Sequence, residues 1–154
     1  MQQAARVMSL RDGSKKMSKS DASEFSRIMM SDDPKTIEMK IKKAKTDSKP
    51  VPDNLKDANS RPEANNLISI YAAINNIDNK KVISEFGNKD FSFFKKQLAE
   101  SLVNVLQPIS SEINKLLSDT NYLDRVISSG SDKASKIAKP VINEVHECIG
   151  LLKT

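Results

Sequence analysis

The chain has 154 residues, 38% of them apolar, with four glycines, no tryptophan and one cysteine. That length suits one domain with a short appended segment and allows a core that removes roughly 70% of the unfolded surface. No apolar run approaches the roughly 20 residues that cross a bilayer, so no membrane role is expected. No signal-type segment opens the chain, and Cys148 can form no internal disulfide or thiolate cluster, so a reducing cytoplasm is the expected compartment.

The net charge of +5 is unevenly placed. Twelve basic and seven acidic residues lie up to Lys49, and thirteen of each lie from Pro50 onward. The whole excess therefore sits in the first third, where it forms a field that attracts phosphates.

In chain order, Ala5 to Leu10 reads as a short buried strand, with Val7, Met8 and Leu10 apolar. No later segment has strong strand character to pair with it. These three residues are therefore expected to be disordered or sticky, with apolar surface uncovered. Asp21 to Met30 predicts a helix capped by Asp21, with Glu24 three positions on. Asp33-Pro34 is an N-cap followed by proline at the first helical position, and Ile37, Ile41 and Ala44 share one face. Thr46 to Asn59, with Pro50 and Pro52, reads as a loop that serves as a hinge or contact.

Ser60-Arg61-Pro62-Glu63 reads as a capping box that starts a helix with the stripe Leu67, Ile68, Tyr71 and Ile74. Asp78 to Phe86 is a short helix stopped by Gly87. A longer helix from Asp90 carries Phe94, Leu98, Leu102, Val105, Leu106, Ile109, Ile113 and Leu117, with a kink expected at Pro108. Asn121 to Ser128 is another turn or two ended by Gly130. A last helix from Ser131 presents Ile137, Val141, Val145, Ile149 and Leu152, interrupted at Pro140. His146 and Cys148 lie in this helical pattern; the histidine reads as a surface or partly buried residue and the cysteine as a core or boundary residue. Arg125 and Lys133 read as solvated helix charges more readily than as base contacts. The expected architecture is mainly α, an antiparallel bundle of five to seven helices entered through a strand and a basic loop.

That loop is DGSKKMSKSDA, residues 12 to 22. Lys15, Lys16 and Lys19 repel one another and have nothing to bury. A solvated linker and an anion site both fit. Lysine suits the second, because a compact ammonium on a flexible stem can follow a phosphate whose position changes.

The longer run ARVMSLRDGSKKMSKSD resembles the second signature region of class I aminoacyl-tRNA synthetases, in the form found in bacterial tryptophanyl-tRNA synthetases. The resemblance continues through DDPKTIEMKIKKAKTDS, NNLISIYAAI, FKKQLAESLVNVLQPI and YLDRVISSGSDKASKIA, and covers the chain from Ala5. It implies a C-terminal remnant of a Rossmann-type catalytic domain in residues 1–49, one short strand plus the KMSKS loop and following helices. It also implies that residues 50–154 form the helical region that includes the anticodon-binding part.

The resemblance implies ATP-dependent activation of tryptophan to tryptophanyl-adenylate, then transfer to tRNA(Trp). Lys19 is the expected contact to the β- and γ-phosphates, countering charge on the departing pyrophosphate, with Lys16 supporting it. Met17, Ser18 and Ser20 would shape the loop and approach the nucleotide, and Val7 falls at a backbone contact to adenine. Magnesium would arrive chelated by ATP, with no protein metal ligand.

One departure is large. The family's histidine-containing first signature has no counterpart, since His146 is the sole histidine. The tryptophan pocket and the surface of the family's homodimer are also absent. The chain thus looks like the C-terminal half of such an enzyme and is predicted inactive alone. The competing expectations are a non-catalytic basic helical module that binds RNA or protein, and an inactive truncated gene product.

Overall fold

The computed structural model describes residues 6–151, so Ala5 and Leu152 lie outside the described residues. Six helices follow one another: α1 (Pro34–Lys42), α2 (Leu55–Ser60), α3 (Pro62–Ile74), α4 (Asn79–Phe86), α5 (Phe91–Ser118) and α6 (Thr120–Cys148). A single 3₁₀ turn, Glu24–Ser26, precedes them. The fold is mainly helical, and among the described residues there is no strand, only an isolated antiparallel bridge between Met8 and Lys16. Two compact units divide at Ser111 and Glu112.

In the first unit the core is built from α3 and the first turns of α5. Leu67, Ile68, Phe94 and Leu98 are almost fully buried, joined by Ile37 and Ile41 from α1 and Val82 and Phe86 from α4. The rings of Tyr71, Phe86 and Phe94 meet at centroid distances of 5.1 to 5.6 Å, two of the three pairs edge-on. Burial of each such side chain contributes about 1.5–3 kcal/mol, and the edge-on geometry adds about 0.5–1.5 kcal/mol per pair. The expected stripe on α5 is buried through Leu106, but Val105, Ile109 and Leu117 are exposed.

Helix starts follow local chemistry. Asp33 accepts from Thr36 N at 2.7 Å and Pro34 takes the first helical position. Asp78 accepts from Lys81 N at 2.8 Å, and α4 stops before Gly87. Several expectations need correction. Residues 6–10 of the expected strand Ala5 to Leu10 form none: they are held by side-chain and loop bonds rather than a ladder. Leu10 is 2% exposed and its N–H donates to Ser26 O at 2.9 Å, so the expected uncovering fails at Leu10, while Val7 stays exposed. Asp21 starts no helix, because its carboxylate accepts from Ser23 N, two residues on, and closes a turn instead.

The expected loop Thr46 to Asn59 contains α2. Asn54 caps it by accepting from Asp57 N at 2.8 Å, and Ala58 is fully buried. The capping box at Ser60 does not form: Ser60 ends α2, its hydroxyl donates to Asp57 O, and Arg61 precedes α3 without a side-chain cap.

In the second unit, α6 is one helix through both Gly130 and Pro140. A single glycine costs about 1 kcal/mol and a proline about 3 kcal/mol in a helix interior, which 29 residues can absorb. None of its residues is buried, and Cys148 is exposed rather than in a core or boundary position. No helix among the described residues is long and apolar enough to cross a membrane.

A Cβ at Gly130 would meet nothing within 4 Å, and its backbone has no positive φ. Gly130→Ala is therefore expected to stabilise the helix by about 0.5–1 kcal/mol. Helicity at 222 nm and the thermal midpoint check this; an unchanged or lowered midpoint would contradict an open, regular helix at that position.

Candidate functional site

The lysine loop is anchored on both flanks. Before it, Met8 is gripped by the side-chain amide of Asn66 on α3. Met8 N donates to Asn66 Oδ1 at 3.0 Å, and Asn66 Nδ2 donates to Met8 O at 2.9 Å. Asn66 is buried, so both ends of its amide are satisfied where water cannot compete. The segment then pairs with the loop: Ser9 N donates to Lys15 O at 2.8 Å and Met17 N to Val7 O at 3.0 Å.

Between the two arms lies the turn Asp12-Gly13-Ser14-Lys15, closed by Lys15 N donating to Asp12 O at 3.1 Å. Asp12 also accepts from the N–H and the hydroxyl of Ser14. These two Ser14 donors, with the Lys15 ammonium 3.2 Å away, hold the Asp12 carboxyl down at about 2. Gly13 is required here. A Cβ would fall 2.5 Å from Glu63 N and Pro62 C, backbone atoms that cannot swing aside. Its neighbour Glu63 pairs with Lys45 at 2.9 Å, and that ammonium holds the Glu63 carboxyl below its usual range.

The three lysines thus differ. Lys15 is spent on Asp12. Lys16 and Lys19 are exposed, and their side chains have no ion pair or hydrogen bond among the described residues. Met17 between them is half-buried and packs against the core. Ser18 and Ser20 are exposed and turn the chain: their hydroxyls lie 3.0 Å apart and Ser20 N donates to Ser18 Oγ at 3.3 Å. Val7, also exposed, gives its carbonyl to Met17. The structure therefore brings Val7, Met17 and the loop onto one ribbon, with two uncompensated ammonium groups on its solvent side.

This arrangement places two exposed, unpaired cations on a pinned backbone. A family model described as tRNA synthetases class I (W and Y) matches residues 2–107. The chain belongs to that family. Curated relatives named tryptophan–tRNA ligase include one from Agrobacterium fabrum, 48% identical over 150 residues, and one from Rickettsia felis, 44% identical over 147. The alignments cover 97% and 96% of this chain but only 42% and 44% of those proteins. The chain thus spans less than half the length of these class I relatives. A crystal structure of tryptophanyl-tRNA synthetase from Mycoplasma pneumoniae matches with a TM-score of 0.70 at 23% identity, over 96% of this chain and 44% of that one. That likeness shows a shared fold. The resemblance to the tryptophan enzymes of the family is borne out by the names of these relatives.

Sequence reasoning missed two residues. Asn66 sits in NNLISIY, where its burial beside Met8 had no local signal. Arg61 stands in the expected capping box with no local sign of its role, yet its guanidinium grips Asp47 through two nitrogens at 2.6 and 2.7 Å and Asp57 at 2.9 Å. It also donates to Pro50 O at 2.8 Å and holds the Asp47 carboxyl below its usual range.

Two outcomes test the scaffold. Asn66→Ala leaves buried backbone groups unpaired and should cost about 1–3 kcal/mol, with loss of exchange protection at the Met8 amide; retained protection would show that Asn66 is not the anchor. For Asp12, a depressed carboxyl stabilises the turn above the ordinary value of 3.8, and that contribution is lost as pH falls towards 2. The Ser14 and Lys15 amide resonances should therefore titrate near 2, not near 3.8, and the transition should vanish in Asp12→Asn.

Proposed function

We propose that this chain is the part of a tryptophan–tRNA ligase that supplies the mobile phosphate-binding loop and the helical tRNA-binding region. The observation that carries the reading is the sorting of the lysines: Lys15 pairs with Asp12 at 3.2 Å, whereas Lys16 and Lys19 have no carboxylate partner among the described residues. Residues 1–49 form the end of the catalytic domain, and 50–154 form the region that includes the anticodon-binding part.

In this reaction tryptophan's carboxylate attacks the α-phosphate of ATP, and pyrophosphate departs to leave tryptophanyl-adenylate. The aminoacyl group then passes to tRNA(Trp). Lys19 contacts the β- and γ-phosphates and Lys16 supports them, so both oppose the charge that grows on the leaving group. An ammonium with no carboxylate partner needs no ion pair broken before it meets phosphate. Ser18 and Ser20 offer hydroxyls to the same phosphates once their mutual contact opens. Met17 holds the loop to the core while the lysines move, and Val7 lies beside the adenine. Magnesium enters as part of the ATP substrate. The reaction belongs to the cytoplasm, where charged tRNA is consumed, and the complete enzyme works as a homodimer.

The chain alone is expected to show no tryptophan-dependent pyrophosphate exchange. It spans less than half of its relatives, and its one histidine, His146, lies near the end of α6. Mixed with a polypeptide corresponding to the rest of a relative, it should regain exchange. Lys19→Gln should then lower the restored rate by about 100-fold or more, a loss typical of removing one transition-state donor. Lys15→Gln should leave it nearly unchanged. Equal losses for Lys15→Gln and Lys19→Gln would sink the assignment.

A basic module without catalytic role is the other reading, favoured by the charge excess in residues 1–49. Titration with tRNA separates the two. Selectivity for tryptophan tRNA over another tRNA supports the ligase, and equal affinity falling steeply with salt supports the module.

A further inference from the structure

A cavity of about 590 Å³ lies between α1 and the first three turns of α5, and none of residues 12–22 lines it. Lys95 lines it, half-buried, and its ammonium donates to Ala44 O at 2.7 Å and Thr46 Oγ1 at 3.2 Å. Both acceptors are neutral. An ammonium has three donors, so one remains for a ligand. Lys42 and Lys96 line the same cavity, and none of the three lysines has an ion pair among the described residues. Burial pushes the Lys95 ammonium below its ordinary value, and the nearby Arg11 adds to the push.

The remaining walls define what fits beside an anion. Phe91 and Ala99 are buried and give an apolar surface. Inorganic phosphate would leave that surface wet; a planar base would cover it. Glu38 and Glu100 also line the cavity, and their carboxylates can accept from exocyclic amines. Three lysines against two glutamates leave a single positive charge, which suits one phosphate and disfavours a triphosphate.

We propose that this cavity binds one nucleotide unit, its phosphate at Lys95 with Lys96 and Lys42, and its base against Phe91 and Ala99. The inference rests on the RNA-binding reading above and adds a second phosphate site distinct from the ATP loop. The same chemistry is offered by a nucleotide within single-stranded RNA and by a free nucleoside monophosphate.

The test is an amide-shift titration of the ¹⁵N-labelled full chain with AMP, with a single-stranded RNA hexanucleotide, and with inorganic phosphate. Saturable shifts at Lys42, Ser92, Lys95, Lys96 and Ala99 are expected from AMP or RNA. Tighter binding of the hexanucleotide assigns the site to RNA, and equal or tighter binding of AMP assigns it to a free nucleotide. Lys95→Gln and Lys96→Gln should each weaken binding by about tenfold, as loss of one charge-assisted bond does. Lys96 holds none of the protein's own carbonyls, so its variant keeps the test sound if Lys95→Gln unfolds. Lys19→Gln should change nothing here. Shifts confined to residues 15–20 would overturn the proposal while leaving the loop assignment standing. Unchanged affinity in both lysine variants, or shifts from phosphate as large as from AMP, would also overturn it.

Discussion

A buried side-chain amide on α3 ties the N-terminal segment to the helical core. Asn66 matches both the donor and the acceptor of Met8, at 3.0 and 2.9 Å. A single amide can do this because its oxygen and nitrogen present the acceptor and donor of a peptide group. From that anchor the remaining order follows. Met8 bridges Lys16, Ser9 donates its N–H to Lys15 O and accepts from Asn66 Nδ2 at 3.4 Å, and Leu10 drops into the core. The loop bearing Lys16 and Lys19 is therefore held at its base and free at its tip.

The same division between pinned backbone and free charge recurs nearby. Arg61 is buried and saturated: it binds Asp47, Asp57 and the Pro50 carbonyl and lies over Phe91 at 5.7 Å. Lys40 is likewise buried against Asp32 at 2.6 Å, with side-chain exposures of 6% and 12%. Such buried pairs contribute little net stability, because desolvation offsets their attraction, but removing one partner strands a charge. They consume part of the basic excess of the first third. What is left over, Lys16, Lys19, Lys42 and their neighbours, faces solvent and is the share available to phosphates.

Much of this was legible in the residues. The caps at Asp33 and Asp78 work within four positions, so their chemistry is complete in the local sequence. The stripe from Leu67 to Ile74 and the run Phe94, Leu98 and Leu102 follow helical spacing, and their burial follows from it. Other elements were not legible for an equally physical reason. The Asp21 carboxylate accepts from Ser23 N and closes a turn, and the following Ser26 O accepts from Leu10 N, a partner distant in sequence. Gly130 and Pro140 are strong local breakers, yet α6 continues through both because its length outweighs two local costs. The cap of α2 at Asn54 was hidden among prolines.

By itself the sequence determined the helical class, the placement of charge and the family, since periodicity, net charge and motif order are properties of the chain in one dimension. Only the tertiary structure decided which charges are free. Lys15, Lys16 and Lys19 are chemically identical in the sequence. Asp12, set by a turn that Gly13 alone can make against Glu63, takes one and leaves two. Ion pairing depends on distances of a few ångströms in three dimensions, and those distances exist only once the chain has packed.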